Sequence, residues 1–136
     1  MSWVVDTCVV LDILENDDDF GILSARLLES RMAEELMICP ISFIELAPAF
    51  GGSMVEQKKF LEQAGIEYRG GWSSADTETA HQAWHHHVVA RRQGTARKRP
   101  LADVFIGAYA SNRTGLITRN GADFRKDFPD LAILQP

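Results

Sequence analysis

Acidic side chains set at the ends of short apolar segments are the feature of this chain that could do chemistry. Trp3-Val4-Val5 is an apolar run that stops at Asp6, and Leu36 to Cys39 is another, with Glu45 soon after it. Asp103 begins an apolar segment that leads toward Leu116-Ile117-Thr118, and Asp123 lies just past Thr118. Carboxylate oxygens are the ligands that hard divalent cations such as Mg²⁺ and Mn²⁺ prefer, with remaining positions left to water and substrate phosphate. Four carboxylates packed unpaired in one crevice would repel one another, and a cation resolves that repulsion. Asp6, Glu45, Asp103 and Asp123 are therefore read jointly as a metal site. A cation there would acidify water and neutralise charge on a phosphate, the requirements of phosphoester hydrolysis. Asp6 and Asp103 are the first choices for direct ligands. Glu45 and Asp123 could bind directly, bind through water, or position the attacking water.

Each acid also has a purely structural explanation. Ser42-x-x-Glu45 has the spacing of a capping box, and Asn120-x-x-Asp123 is similar. Asp103 follows Pro100 in what would be a first helical turn, where negative charge favours the helix dipole. Asp6 could cap the helix after it. Capping and metal binding do not compete, because a helix start can hold a carboxylate rigidly.

The elements that must position these acids follow from periodicity. Cys8 to Leu14 has helical spacing, as does Phe20 to Glu35 with Ile22, Leu23, Leu27, Leu28 and Met32 on its inner face. Ser42 starts a helix that meets Pro48, Met54 to Ala64 forms another, and Ser74 to Arg92 is a long one. Pro100 suits the first position of a further helix, and Asn120 opens a short one. Short strands are expected at 3–5, 36–39, 66–68, 116–118 and 131–134. Such alternation predicts an α/β fold, a central parallel sheet flanked by helices on both faces, in one domain spanning 1–136. Functional groups of such sheets gather at the carboxyl ends of the strands, where these four acids would meet.

Composition sets the limits. A chain of 136 residues with 46% hydrophobic content builds one real core. Cys8 and Cys39 lie in apolar neighbourhoods without ligand-like spacing, which points to buried thiols in a reduced, cytoplasmic protein. No basic region precedes the first apolar stretch, against a signal peptide, and no apolar run is long enough to span a bilayer. Net charge is −5, yet five of the fourteen basic residues fall within one stretch: Arg91, Arg92, Arg97, Lys98 and Arg99. That stretch either tracks nucleic-acid phosphates or is a solvated helix end.

The residues around the acids carry a resemblance. Val4-Val5-Asp6-Thr7, Ser42-Phe43-Ile44-Glu45-Leu46, the segment Ala102-Asp103-Val104-Phe105-Ile106-Gly107-Ala108-Tyr109-Ala110 and Thr118-Arg119-Asn120-Gly121-Ala122-Asp123-Phe124 resemble the motifs of PIN-domain ribonucleases. The VapC-type toxins of toxin–antitoxin pairs are the nearest likeness, over almost the whole chain and in the right order. The resemblance implies that the acidic quartet is Asp6, Glu45, Asp103 and Asp123, supported by Thr118 and by the polar position Asn120. It also implies a Mg²⁺- or Mn²⁺-dependent endoribonuclease acting on RNA, commonly a homodimer, inhibited by an antitoxin that inserts near the acidic groove. Cys8 departs from the pattern, in which a small hydroxyl or amide residue is more usual, and this bears on how ligands are oriented.

Other constellations carry less. His81 and His85 share a helix face, but no Glu follows His81 and no further ligand cluster accompanies them or His86 and His87, so no zinc site is expected. Trp72 and Trp84 read as core or interface residues rather than base-stacking platforms. An aspartyl-phosphate phosphatase would need an acid two residues after Asp6, where Cys8 stands. A non-catalytic RNA- or protein-binding module of the same fold is the remaining alternative, against which the intact quartet argues.

Overall fold

The computed structural model describes residues 1–94 and 100–136. Its strands are β1 (Ser2–Val5), β2 (Glu35–Met37), β3 (Ile66–Glu67), β4 (Gly115–Ile117) and β5 (Ile133–Leu134). They form one parallel sheet in the order β3-β2-β1-β4-β5, so β1 lies at its centre. The helices are α1 (Thr7–Leu14), α2 (Gly21–Ser30), α3 (Pro40–Glu45), α4 (Met54–Gln63), α5 (Ser74–Arg92), α6 (Leu101–Ser111) and α7 (Gly121–Asp127). The expected α/β architecture is the observed one.

Side chains alternate across a strand, and that alternation sorts the core into two layers. Val4, Met37, Cys39 and Leu116 face one side, where they meet Ala80 and Ala83 of α5, Val104 and Ala108 of α6, and Phe124 of α7. Trp3, Val5, Leu36, Ile38 and Ile117 face the other, where they meet Val9 and Val10 of α1, Leu28 of α2 and Leu61 of α4. Val4, Val5, Leu116 and Ile117 are fully buried. Each such side chain contributes on the order of 1.5–3 kcal/mol relative to exposure. Because both faces are covered, the strands read as unbroken apolar runs.

Local chemistry explains the helices that carry the site. Ser73 caps α5: its Oγ accepts from Asp76 N at 3.1 Å, and the Asp76 carboxylate accepts from Ser73 N at 2.9 Å. Arg91 and Arg92 end that helix, where cations suit the dipole. In α6, Gly107 admits the ring of Phe128, which a Cβ would meet at 2.2 Å. Trp72 stacks on Tyr109 at 6.1 Å and meets Phe105 edge-on at 5.5 Å, and Trp84 packs half-buried on the same layer. Both tryptophans serve the core, as expected.

Three expectations are corrected. The helix expected over Phe20 to Glu35 ends at Ser30, and its inner face is Gly21, Ser24 and Leu28, while Ile22, Leu23 and, past its end, Met32 are exposed. The cause is close packing on α1: a Cβ on Gly21 would lie 3.1 Å from the Asp12 carbonyl oxygen, so small residues must face inward. Ser42 does not start a helix. Pro40 occupies the first turn of α3 instead, and Ser42 sits inside it with its side chain buried. Finally, Pro100 precedes α6 as its cap residue rather than opening the helix.

Candidate acidic site at the carboxyl edge of the sheet

In a wholly parallel sheet every strand ends at the same edge, and the residues just beyond β1 and β4 are Asp6 and Thr118. Asp6 is 5% exposed. Its N–H donates to Ile117 O at 2.9 Å, which continues the β1–β4 pairing and draws the carboxylate against Thr118. The Thr118 hydroxyl donates to Asp6 Oδ2 at 2.7 Å and accepts from Asn120 N at 3.1 Å. The Cys8 thiol donates to the same Oδ2 at 3.4 Å. Burial, and then the charge of Asp6, push the Cys8 thiol up to about 11, so at neutral pH it is a donor and not a thiolate nucleophile. Asp6 makes no side-chain cap bond to α1, so the capping explanation does not account for it.

Glu45 reaches this edge by a different route. It is the last residue of α3 and is exposed. The Thr7 hydroxyl lies 2.7 Å from Glu45 Oε1 and 2.9 Å from Ser42 Oγ. With one proton to give, Thr7 donates to the carboxylate, and the buried Ser42 hydroxyl supplies the other bond. Thr7 adjoins Asp6, so this chain of hydroxyls ties Glu45 to the end of β1.

Asp103 stands half-buried in the first turn of α6, its N–H bonded to Pro100 O at 3.1 Å. That helix packs against both β1 and α3, the elements that lead into Asp6 and Glu45. Asp123 lies in the first turn of α7 with its side chain 63% exposed and Lys126 Nζ 3.7 Å from its Oδ1. Asn120 precedes α7 and makes no side-chain cap bond. Arg91 and Arg92 are exposed at the end of α5, whereas Arg97, Lys98 and Arg99 lie outside the described residues.

Direct contacts thus join Asp6, Thr118, Asn120 and Cys8, with Glu45 tied in through Thr7. Among the described residues, no group of three or more His, Cys, Asp or Glu is disposed to hold a metal ion. Mg²⁺ asks for less, since it is commonly held by one or two carboxylates with water and phosphate completing its shell. The donor chemistry fits such an ion: a buried aspartate oriented by a hydroxyl and by a thiol that is itself protonated, with the carboxylates of Glu45 and Asp103 on neighbouring elements. Sequence reading did not find the hydroxyl chain of Ser42 and Thr7, nor the buried Asp12, which pairs with Arg119. A carboxylate on the apolar stripe Val9, Val10, Asp12 of α1 was the available sign of that second pairing.

The chain is thus an α/β domain with a wholly parallel sheet and a buried aspartate, Asp6, just past the end of its central strand. The profile of the PIN domain matches residues 3–127, and the chain belongs to that family. No curated protein is a significant match. Among solved structures, a chain of VapBC-1 from nontypeable Haemophilus influenzae superposes with a TM-score of 0.72 at 19% identity, covering 99% of this chain and 98% of that one. VapBC2 from Rickettsia felis, bound to a DNA fragment from its promoter, gives 0.71 at 18% identity, covering 100% and 99%. FitAcB from Neisseria gonorrhoeae gives 0.65 at 19% identity, covering 97% and 96%. At these identities the likeness is one of fold. Among the described residues no helix is long and apolar enough to cross a membrane.

Proposed function

We propose that this PIN domain is a Mg²⁺- or Mn²⁺-dependent endoribonuclease, and that it is the toxin of a type II toxin–antitoxin pair acting in the cytoplasm. The observation that carries the reading is Asp6, a buried carboxylate at the carboxyl edge of the sheet whose Oδ2 is held by Thr118 and Cys8. Asp6 and Asp103 would hold the ion. When bound, it supplies acidified water and neutralises charge on the phosphate. Thr118 and Cys8 fix the orientation of Asp6, and Asn120 N–H fixes that of Thr118. Glu45, steered by Thr7, and Asp123 would hold the ion or orient the attacking water, for hydrolysis of RNA phosphodiester bonds without a covalent intermediate. Arg91 and Arg92, with Arg97, Lys98 and Arg99, contact RNA phosphates or the antitoxin. The partner assignment is supported by the VapBC and FitAB assemblies to which the fold is similar, and a homodimer is part of the same reading.

One observation favours a second reading, a non-catalytic RNA- or protein-binding module: Glu45 and Asp123 are exposed and no three-residue metal cluster stands among the described residues. Cleavage of a complex cellular RNA pool, with new 5′ ends mapped by sequencing, decides between them. Defined cuts with Mg²⁺ that vanish with a chelator and with Asp103→Ala are expected. Folded protein, free of antitoxin, that makes no cuts under any condition rejects the nuclease reading.

A further inference from the structure

One residue past Thr118 stands a cation that the fold holds in place but does not use up. Arg119 directly follows Thr118, so its backbone is one residue from the hydroxyl that orients Asp6. Its Nε lies 3.3 Å from Asp12 Oδ2, and its Cζ sits 4.9 Å from the centre of the Phe20 ring. Asp12 comes from α1 and is 4% exposed; Phe20 comes from the turn that leads into α2. Two separate elements therefore clamp one guanidinium, through charge on its edge and a ring on its face.

The clamp leaves the donors available. Asp12 Oδ2 has no hydrogen-bond partner, so its pairing with Arg119 is an attraction between charges, without the geometry of a hydrogen bond. Among the described residues no hydrogen bond occupies the Arg119 Nη groups, which carry four of the five guanidinium N–H bonds. The side chain keeps 36% exposure. A cation serving only to neutralise Asp12 would be expected to engage it in a forked hydrogen-bonded pair. Here the carboxylate restrains the guanidinium while its fork remains open to another acceptor.

We infer that Arg119, held by Asp12 and Phe20, is a phosphate-contacting residue that grips the RNA backbone along α1, on the way to the acidic site. The inference rests on the ribonuclease reading for the identity of the polyanion. Asp12 and Phe20 act through Arg119 and are positioning residues. Preorganisation is the advantage of the arrangement, because an arginine already ordered loses less freedom when it binds phosphate. It also meets an electrostatic need. A chain of net charge −5 must bring a polyanion to its own carboxylates, and a fixed cation on the flank of α1 favours the approach locally.

The test measures binding, not cleavage. A labelled random-sequence single-stranded RNA pool is titrated with the full-length Asp103→Asn chain over a series of KCl concentrations, and RNA integrity is checked on a gel. Each phosphate neutralised contributes about 0.7 to the slope of log K against log salt for single strands. Arg119→Gln is expected to lower that slope by about 0.7, Arg119→Lys to keep it with weaker binding, and Arg31→Gln, at the opposite edge of the sheet, to leave it unchanged. The double variant Asp12→Asn/Arg119→Gln keeps the net charge of its parent and removes both members of the pair together. It should show the same loss of slope, and it carries the test if Arg119→Gln fails to fold. An unchanged slope in the double variant, an equal loss in Arg31→Gln, or no measurable RNA binding by the parent overturns the proposal. Cuts in the cellular pool alongside an unchanged slope would sink this inference alone. An Arg119-dependent slope without cuts would sink only the nuclease reading.

Discussion

Asp6 and Asp76 are buried to nearly the same degree, 5% and 0% exposed, and different kinds of described donor hold them. Asp76 is neutralised internally. It takes Arg113 Nη1 at 2.9 Å and Nη2 at 3.3 Å, together with Ser73 N and Asn112 Nδ2, each at 2.9 Å. Arg113 is in turn stacked on the ring of Tyr109, 3.4 Å from its centre. Burial alone would raise the Asp76 carboxyl, but the bonds from Arg113, Ser73 and Asn112 outweigh it and hold the group below the ordinary carboxylate range. The donors described on Asp6 Oδ2 are an alcohol and a thiol. Such neutral donors fix the direction of a carboxylate without bringing a charge of their own. The comparison separates a carboxylate that holds α5 to α6 from one that is aimed.

The contrast can be broken most forcefully at Asp76. Asp76→Ala leaves the Arg113 guanidinium without its carboxylate partner and should cost about 3–5 kcal/mol in chemical denaturation. The pH dependence has a definite sign. A depressed folded pKa means that Asp76 stabilises the protein above the unfolded carboxylate value near about 4, and that this contribution is lost as pH falls through the lower, folded value. Asp76→Asn should accordingly flatten the acid limb of stability against pH. An unaltered limb would place the titration elsewhere.

A smaller effect is expected at Thr118. Thr118→Val removes the 2.7 Å bond to Asp6 and should weaken Mn²⁺ binding by about 10–100-fold, measured calorimetrically on folded protein. Affinity equal to the parent would show that Asp6 needs no steering. The smallest change belongs to Cys8, whose bond is longer and whose donor is weaker. Cys8→Ala should reduce Mn²⁺ affinity less than Thr118→Val does, and in the intact protein the thiol, pushed up to about 11, should resist alkylation at neutral pH. Rapid modification of Cys8 in the folded chain would contradict the buried, protonated thiol.

Much of this was legible in the residues themselves. Unbroken apolar triplets at Trp3-Val4-Val5 and near Leu116 report strands covered on both faces, and the long period of α5 reports itself. Asp6 was visible as an acid that stops such a run. The face of α2 was not, because Gly21 and Ser24 are small for the sake of contact with α1 while Ile22 and Leu23 face outward, inverting the usual apolar stripe. Ser42 matched a capping box by spacing, yet Pro40 set the start of α3, and the Ser42 hydroxyl went to Thr7 instead. Pairings such as Asp12 with Arg119 join residues far apart in the chain, and no local pattern names the partner.

The placement of β1 at the centre of a parallel sheet also governs when the site can exist. Asp6 and Thr118 are 112 positions apart, and the bond between them requires β4 to lie alongside the first strand. During synthesis at about 5–20 residues per second, Asp6 leaves the ribosome many seconds before its partner does. For that interval α1, α2 and β2 can gather around β1, but the edge where β4 belongs stays open. A nascent chain of this protein cannot close the Asp6–Thr118 bond until β4 has left the ribosome and found its place beside β1.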